Sequence, residues 1–142
     1  MSYLPLTQWK CDVCGQMIEN MDEGYVTWSA SPEGDSDFTI IHQSKDRCDD
    51  GRKHFSAALR DFLGADGLAN LTAMLSHGPV TYGSGQPRIA NMDEFVDFFR
   101  RVQLPHYEEA RQSFKRAEVR EDLSDASQVY PYLQETLQRL AS

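Results

Sequence analysis

Trp9-Lys10-Cys11-Asp12-Val13-Cys14-Gly15 opens a pattern that closes with His42, five intervening residues and Cys48, and it takes up all three cysteines of the chain. A structural zinc ion takes four ligands from cysteine and histidine, commonly one closely spaced pair and a second pair supplied by the fold. Cys11 and Cys14 have the short spacing that lets one tight turn present two sulfurs. Gly15 follows where such a turn calls for positive φ, which glycine adopts at no steric cost. His42 and Cys48 form the second, more loosely spaced pair. The expectation is one structural Zn2+ per chain on Cys11, Cys14, His42 and Cys48.

The charge pattern agrees. Residues 1–50 hold 3 basic and 10 acidic side chains, and each basic one, Lys10, Lys45 and Arg47, lies within 3 residues of a cysteine. Such cations offset the negative charge left when three thiolates surround a divalent ion. Two other readings of the cysteines stay open. Cys11 and Cys14 have the spacing of a thioredoxin-like redox pair, although no βαβ pattern surrounds them. Buried free cysteines also serve as small apolar side chains. His54 competes with His42 for the fourth ligand position.

Working outward, Gly24 to Ala30 is rich in β-branched and aromatic residues and reads as a strand. Residues 31–37 read as a turn punctuated by Pro32 and Gly34, and Phe38 to His42 as the returning strand. Alternation puts Phe38, Ile40 and His42 on one face, carrying His42 back toward the cysteine pair. The acidic turn residues Glu33, Asp35 and Asp37 lack the spacing of a calcium loop.

From residue 50 the periodicity becomes helical. Phe55, Leu59, Phe62 and Leu63 mark a helix over 50–63, ended by Gly64. A second helix is capped by Asp66, buries Leu68, Leu71, Met74 and Leu75, and ends at His77-Gly78-Pro79. Residues 78–91 form one long loop, in which Tyr82, Ser84 and Arg88 could offer a polar contact surface. Its Gly83-Ser84-Gly85 run lacks the context of a phosphate loop. Asn91 and Glu94 make a capping-box-like start for a helix over 92–102, dense in Phe95, Val96, Phe98, Phe99 and Val102. Pro105 opens a fourth helix with Tyr107, Ala110, Phe114 and Ala117 inward, and Glu108 and Arg111 on the surface. Ser124 or Asp125 caps the last helix, whose stripe is Val129, Tyr132, Leu133, Leu137 and Leu140, with Pro131 either kinking it or marking its true start. The fold class is α+β: an N-terminal β-hairpin zinc module over 1–49, packed on a mainly helical body over 50–142, the two forming one compact unit.

The chain of 142 residues carries a net charge of −8. That balance lacks the basic footprint of a duplex-binding protein. No apolar run approaches the roughly 18 residues of a membrane span. The opening residues lack the basic and apolar regions of a signal peptide. Three cysteines at metal-ligand spacing suit a reducing compartment, so the expected location is the cytoplasm.

The set Trp9, Cys11, Cys14, Gly15, Gly24-Tyr25-Val26, Trp28, Ile41-His42 and Cys48 resembles bacterial zinc-ribbon-like proteins of uncharacterised activity. The resemblance covers about the first third of the chain; Pro105-His106-Tyr107-Glu108-Glu109-Ala110-Arg111 extends it loosely. It implies a metal site and carries over no activity. The His42–Cys48 spacing departs from the repeated CxxC of zinc ribbons.

Function follows as an expectation. Four protein ligands close a zinc shell, whereas a catalytic zinc keeps a position open. The deaminase signature is absent, and His106 with Glu109 lacks the partner helices of a dimetal site. A non-catalytic module binding another protein is the leading reading, with a homodimer left open. The first alternative is a nucleic-acid-binding zinc module using Arg100, Arg101, Arg111, Lys115, Arg116 and Arg120. The second is a zinc-dependent enzyme.

Overall fold

The computed structural model describes residues 5–43, 48, 55–81 and 88–141. Within them the chain is α+β, with two small antiparallel sheets and five helices. Strands β1 (Trp9–Lys10) and β2 (Met17–Ile18) pair as a short hairpin that frames the Cys11–Cys14 turn. Strands β3 (Gly24–Ser31), β4 (Gly34–His42) and β5 (Phe55–Ala58) form the second sheet in the order β4-β3-β5.

The β3–β4 hairpin is tighter than expected. Ser31 pairs with Gly34, so only Pro32 and Glu33 turn, and Asp35 and Asp37 belong to β4. Gly34 has φ +120°, and a Cβ there would lie 2.9 Å from the backbone of Arg88, Ile89 and Ala90. That segment runs alongside β4 through two 2.8 Å bonds to the Asp35 backbone. Farther along, Trp28 faces both Asp37 and Phe38 at a bulge where Asp37 takes φ +63°. Asp is among the residues that tolerate this left-handed conformation.

The helix expected across 50–63 is replaced, within the described residues, by β5 and a 3₁₀ turn at Leu59–Phe62. Phe55, Leu59 and Phe62 sit at helical spacing, yet the open edge of β3 recruits 55–58 as a strand, pairing Trp28 with Phe55 and Tyr25 with Ala58. Leu59 and Phe62 are still buried, through the 3₁₀ turn.

Helix α1 (Gly64–Leu75) begins before Asp66 and has no side-chain cap. Gly67 and Leu71 form its buried face, whereas Leu68 and Leu75 are exposed. Helix α2 (Met92–Gln103) starts as expected, with Asn91 Oδ1 accepting from the Glu94 N–H at 3.1 Å. The Glu94 carboxylate accepts instead from the Asp37 N–H at the bulge, so it ties the helix start to β4. Pro105 lies outside α3 (Tyr107–Arg111), whose cap is His106 at φ +69°. Ala117 is exposed and starts α4 (Ala117–Leu123). Pro131 sits in a 3₁₀ turn, and α5 (Gln134–Ala141) begins after it, leaving Val129 and Leu133 exposed.

Two apolar clusters result. The larger joins Trp9, Ile18, Val26, Ile40, Leu59, Phe62, Leu71, Phe95, Phe98 and Val102 with Cys11 and Cys48 at its margin. Phe38 stacks on Phe98 with centroids 5.1 Å apart and meets Phe95 edge-on at 5.2 Å. The smaller joins Tyr107, Ala110, Val119, Leu137 and Leu140. The hydrophobic effect therefore fixes α2 across the sheet and places its C-terminal half beside the β1–β2 hairpin.

Candidate metal centre

The turn between β1 and β2 is built for two sulfurs. Cys11 N–H donates to Gln16 O at 2.9 Å, and Gly15 N–H donates to Cys11 O at 3.0 Å. Gly15 adopts φ +77°, the conformation expected of a glycine there. The Cys14 N–H points at Cys11 Sγ, 3.5 Å away. Two contacts lock this turn to β4: Asp12 N–H donates to Ile40 O, and Ile40 N–H to Asp12 Oδ2, each at 2.8 Å.

His42 ends β4, and its Nδ1 lies 3.4 Å from Cys14 Sγ and 3.5 Å from Cys48 Sγ. Cys11 and Cys48 sulfurs are 3.6 Å apart, and all three cysteines are free. The four donor atoms lie within 4.8 Å of one another, close enough to hold one metal ion. Tetrahedral zinc with sulfur and nitrogen ligands separates its donor atoms by about 3.5–3.8 Å, from the usual bond lengths. The three sulfur–nitrogen and sulfur–sulfur separations match that size.

The histidine supplies the test of fit. His42 Nε2 lies 3.1 Å from Met17 O. A carbonyl only accepts, so Nε2 carries the proton and Nδ1 presents its lone pair to the sulfurs. This carbonyl–histidine arrangement orients metal-ligating imidazoles generally.

The thiols respond to one another. Burial pushes the Cys11 thiol up, but the backbone N–H groups of Cys14, Val13 and His42 and the Cys48 thiol outweigh it and bring it down to about 6. Burial and the neighbouring Cys11 and Cys14 push Cys48 up to about 11. Thiolates crowded together resist a second ionisation, and a cation among them relieves that resistance.

Behind the turn stands a buried ion network that sequence reasoning missed. Arg101, expected in an exposed basic set, is 2% exposed. Its Nε and Nη2 donate to the two Glu108 oxygens at 2.7 and 2.8 Å, Nη1 to Asp12 Oδ2 at 2.7 Å, and Nη2 to Lys10 O at 3.0 Å. Glu108, expected on the surface, is buried and also accepts from the Lys10 N–H at 2.9 Å. Trp9 Nε1 donates to Arg101 O at 3.0 Å. Burial opposes the charge on Arg101, but Glu108 and Asp12 hold it firmly protonated. The available signal was position: Arg101 stands three residues from Phe98, inside the apolar stripe of α2.

The rest of the basic set is largely engaged. Arg111 donates to both Asp97 oxygens, at 2.9–3.1 Å. Arg100 stacks 3.6 Å from the Tyr132 ring centroid. Arg116 donates to Ser113 Oγ at 2.9 Å and approaches Glu118 at 4.0 Å. Lys115 and Arg120 are exposed.

Among the described residues, Cys11, Cys14, His42 and Cys48 are the one metal-sized group of such side chains, so His106 and Glu109 gather no third donor. Lys45, Arg47, His54, Tyr82 and Ser84 lie outside the described residues, while Arg88 Nη2 contacts His77 Nδ1 at 2.9 Å. No described helix is long and apolar enough to cross a membrane.

No protein-family model, curated protein or solved structure matches the chain. No family is therefore shown, and what the structure supports is a four-donor cluster close enough to hold one metal ion.

Proposed function

We propose that this chain is a protein-binding domain whose N-terminal module is cross-linked by one structural Zn2+ on Cys11, Cys14, His42 and Cys48, in a zinc-ribbon-like arrangement. The observation carrying it is His42: its Nε2 is committed to Met17 O while Nδ1 faces two thiols of a four-donor cluster. Free cysteines in such a cluster suit a reducing compartment. When bound, the ion supplies a cross-link. Four protein donors fill a tetrahedral shell, which favours a structural over a catalytic role.

Two further observations support a protein partner. Arg101 and Arg111, central to the nucleic-acid alternative, are spent on internal carboxylates. Val13 and Met17, on the metal-bearing hairpin, are each more than two-fifths exposed, at 46% and 42%. The segments before and after residue 49 share one apolar cluster, and we take them to unfold together.

Cobalt substitution tests the closed shell. Co2+-loaded protein is expected to show the absorption of a tetrahedral sulfur-rich site, unchanged by azide or cyanide. A spectrum that shifts with those ligands would instead support the zinc-enzyme alternative.

A further inference from the structure

A cleft of about 660 Å³ opens between the Cys11–Cys14 turn and the far end of α3. One wall is Lys10 to Gly15; the other comes from Asp97, Arg111, Gln112, Phe114 and Lys115. Its charges are unequal in availability. Asp12 is held by Arg101 and Asp97 by Arg111, with 2.7 and 2.9 Å contacts. Lys10 and Lys115 are exposed, and neither ammonium has an ion-pair partner among the described residues. Cys11, buried, and Cys14, half-buried, belong to the first wall. On a chain of net charge −8, this cleft thus presents an exposed lysine from each wall.

Apolar surface accompanies them. Val13 stands exposed on the turn, and half-buried Phe114 lies on the opposite wall. A free inorganic anion would use the ammoniums and leave Val13 and Phe114 idle. Duplex nucleic acid needs a broad basic face, and two of the guanidiniums that would build one, Arg101 and Arg111, are already paired with carboxylates of this chain.

We infer that this cleft docks an acidic segment of a partner polypeptide, with carboxylates at Lys10 and Lys115 and an apolar side chain between Val13 and Phe114. The inference rests on the protein-binding reading above and supplies the chemistry of its partner. Because the metal-bearing turn forms one wall, the cleft also depends on that turn's order.

The test is selection of a random 12-residue peptide display library on the immobilised full-length protein, followed by anisotropy titration of the enriched peptides. Enriched peptides are expected to combine Asp or Glu with an aliphatic or aromatic residue. Charge reversal at a contact of this kind is expected to weaken binding about tenfold in Lys10→Glu/Lys115→Glu. Lys115→Glu alone, on the wall opposite the cysteine turn, is expected to show a smaller loss with unchanged thermal unfolding. Val13→Ser is expected to weaken binding as well. Neutral or basic enriched peptides, no enrichment, or affinity indifferent to Lys115→Glu would overturn the inference. So would inorganic phosphate displacing the peptide while Val13→Ser changes nothing, which marks a small-anion site. Metal content measured on the same preparation judges the structural-zinc reading separately.

Discussion

Asp12 Oδ2 lies 2.7 Å from Arg101 Nη1 and accepts the Ile40 N–H at 2.8 Å, so one carboxylate between two candidate metal ligands ties their turn to both α2 and β4. Arg101 then passes the connection to Glu108 on α3. The Cys11–Cys14 turn is thereby braced by the helical body through Asp12 and the buried Arg101–Glu108 pair.

Removing the guanidinium leaves Glu108 buried without its counter-ion. Breaking one partner of a buried pair costs about 3–5 kcal/mol. Arg101→Leu is therefore expected to lose stability on that scale in urea unfolding, and Arg101→Leu/Glu108→Leu to recover much of it. A loss under about 1 kcal/mol for the single variant would place the pair among exposed salt bridges instead.

Acidification should act through Asp97. Burial pushes its carboxyl up, but the hydrogen bonds of Arg111 and Tyr107 and the nearby guanidinium charges outweigh that and hold it below the usual range. A depressed folded pKa contributes stability above the unfolded value of about 3.9 and loses it as pH falls through the folded value. Wild-type protein is expected to lose urea resistance more steeply below about pH 4 than Asp97→Asn. Parallel pH profiles would contradict this role.

The aromatic contact of β4 with α2 gives a third expectation. Phe98 is 2% exposed and stacks on Phe38. Phe98→Ala should cost about 3–5 kcal/mol, the range for emptying a packed aromatic site. Thermal unfolding that stays near wild type would show that α2 is held elsewhere.

Capping at Asn91 is a smaller effect. Asn91→Ala removes the side-chain acceptor of the Glu94 N–H and should cost about 1 kcal/mol, while Asn91→Asp should retain most of it. Equal unfolding midpoints for Asn91→Ala and wild type would remove the cap from the account.

The elements legible in the sequence were those with local causes. Cys11-x-x-Cys14-Gly15 marked a turn, the Trp28 and Phe38 segments marked a hairpin, and Asn91 with Glu94 marked the start of α2. Strand β5 was illegible because Phe55, Leu59 and Phe62 satisfy helical spacing, and only the distant edge of β3 decides for a strand. The Arg101–Glu108–Asp12 set was illegible for a related reason. A charged residue reads as solvated until its counter-ion is known, and Arg101 and Asp12 are 89 residues apart. The four-donor cluster was readable by residue type, but the bond from His42 Nε2 to Met17 O required the fold.

The most direct test is elemental analysis of untagged protein purified without chelator, with thermal unfolding before and after chelation. The expected result is close to one zinc per chain, a clear drop in the unfolding temperature on chelation, and loss of both metal and stability in Cys14→Ser. Metal-free protein that unfolds identically with and without chelator would contradict the structural metal centre.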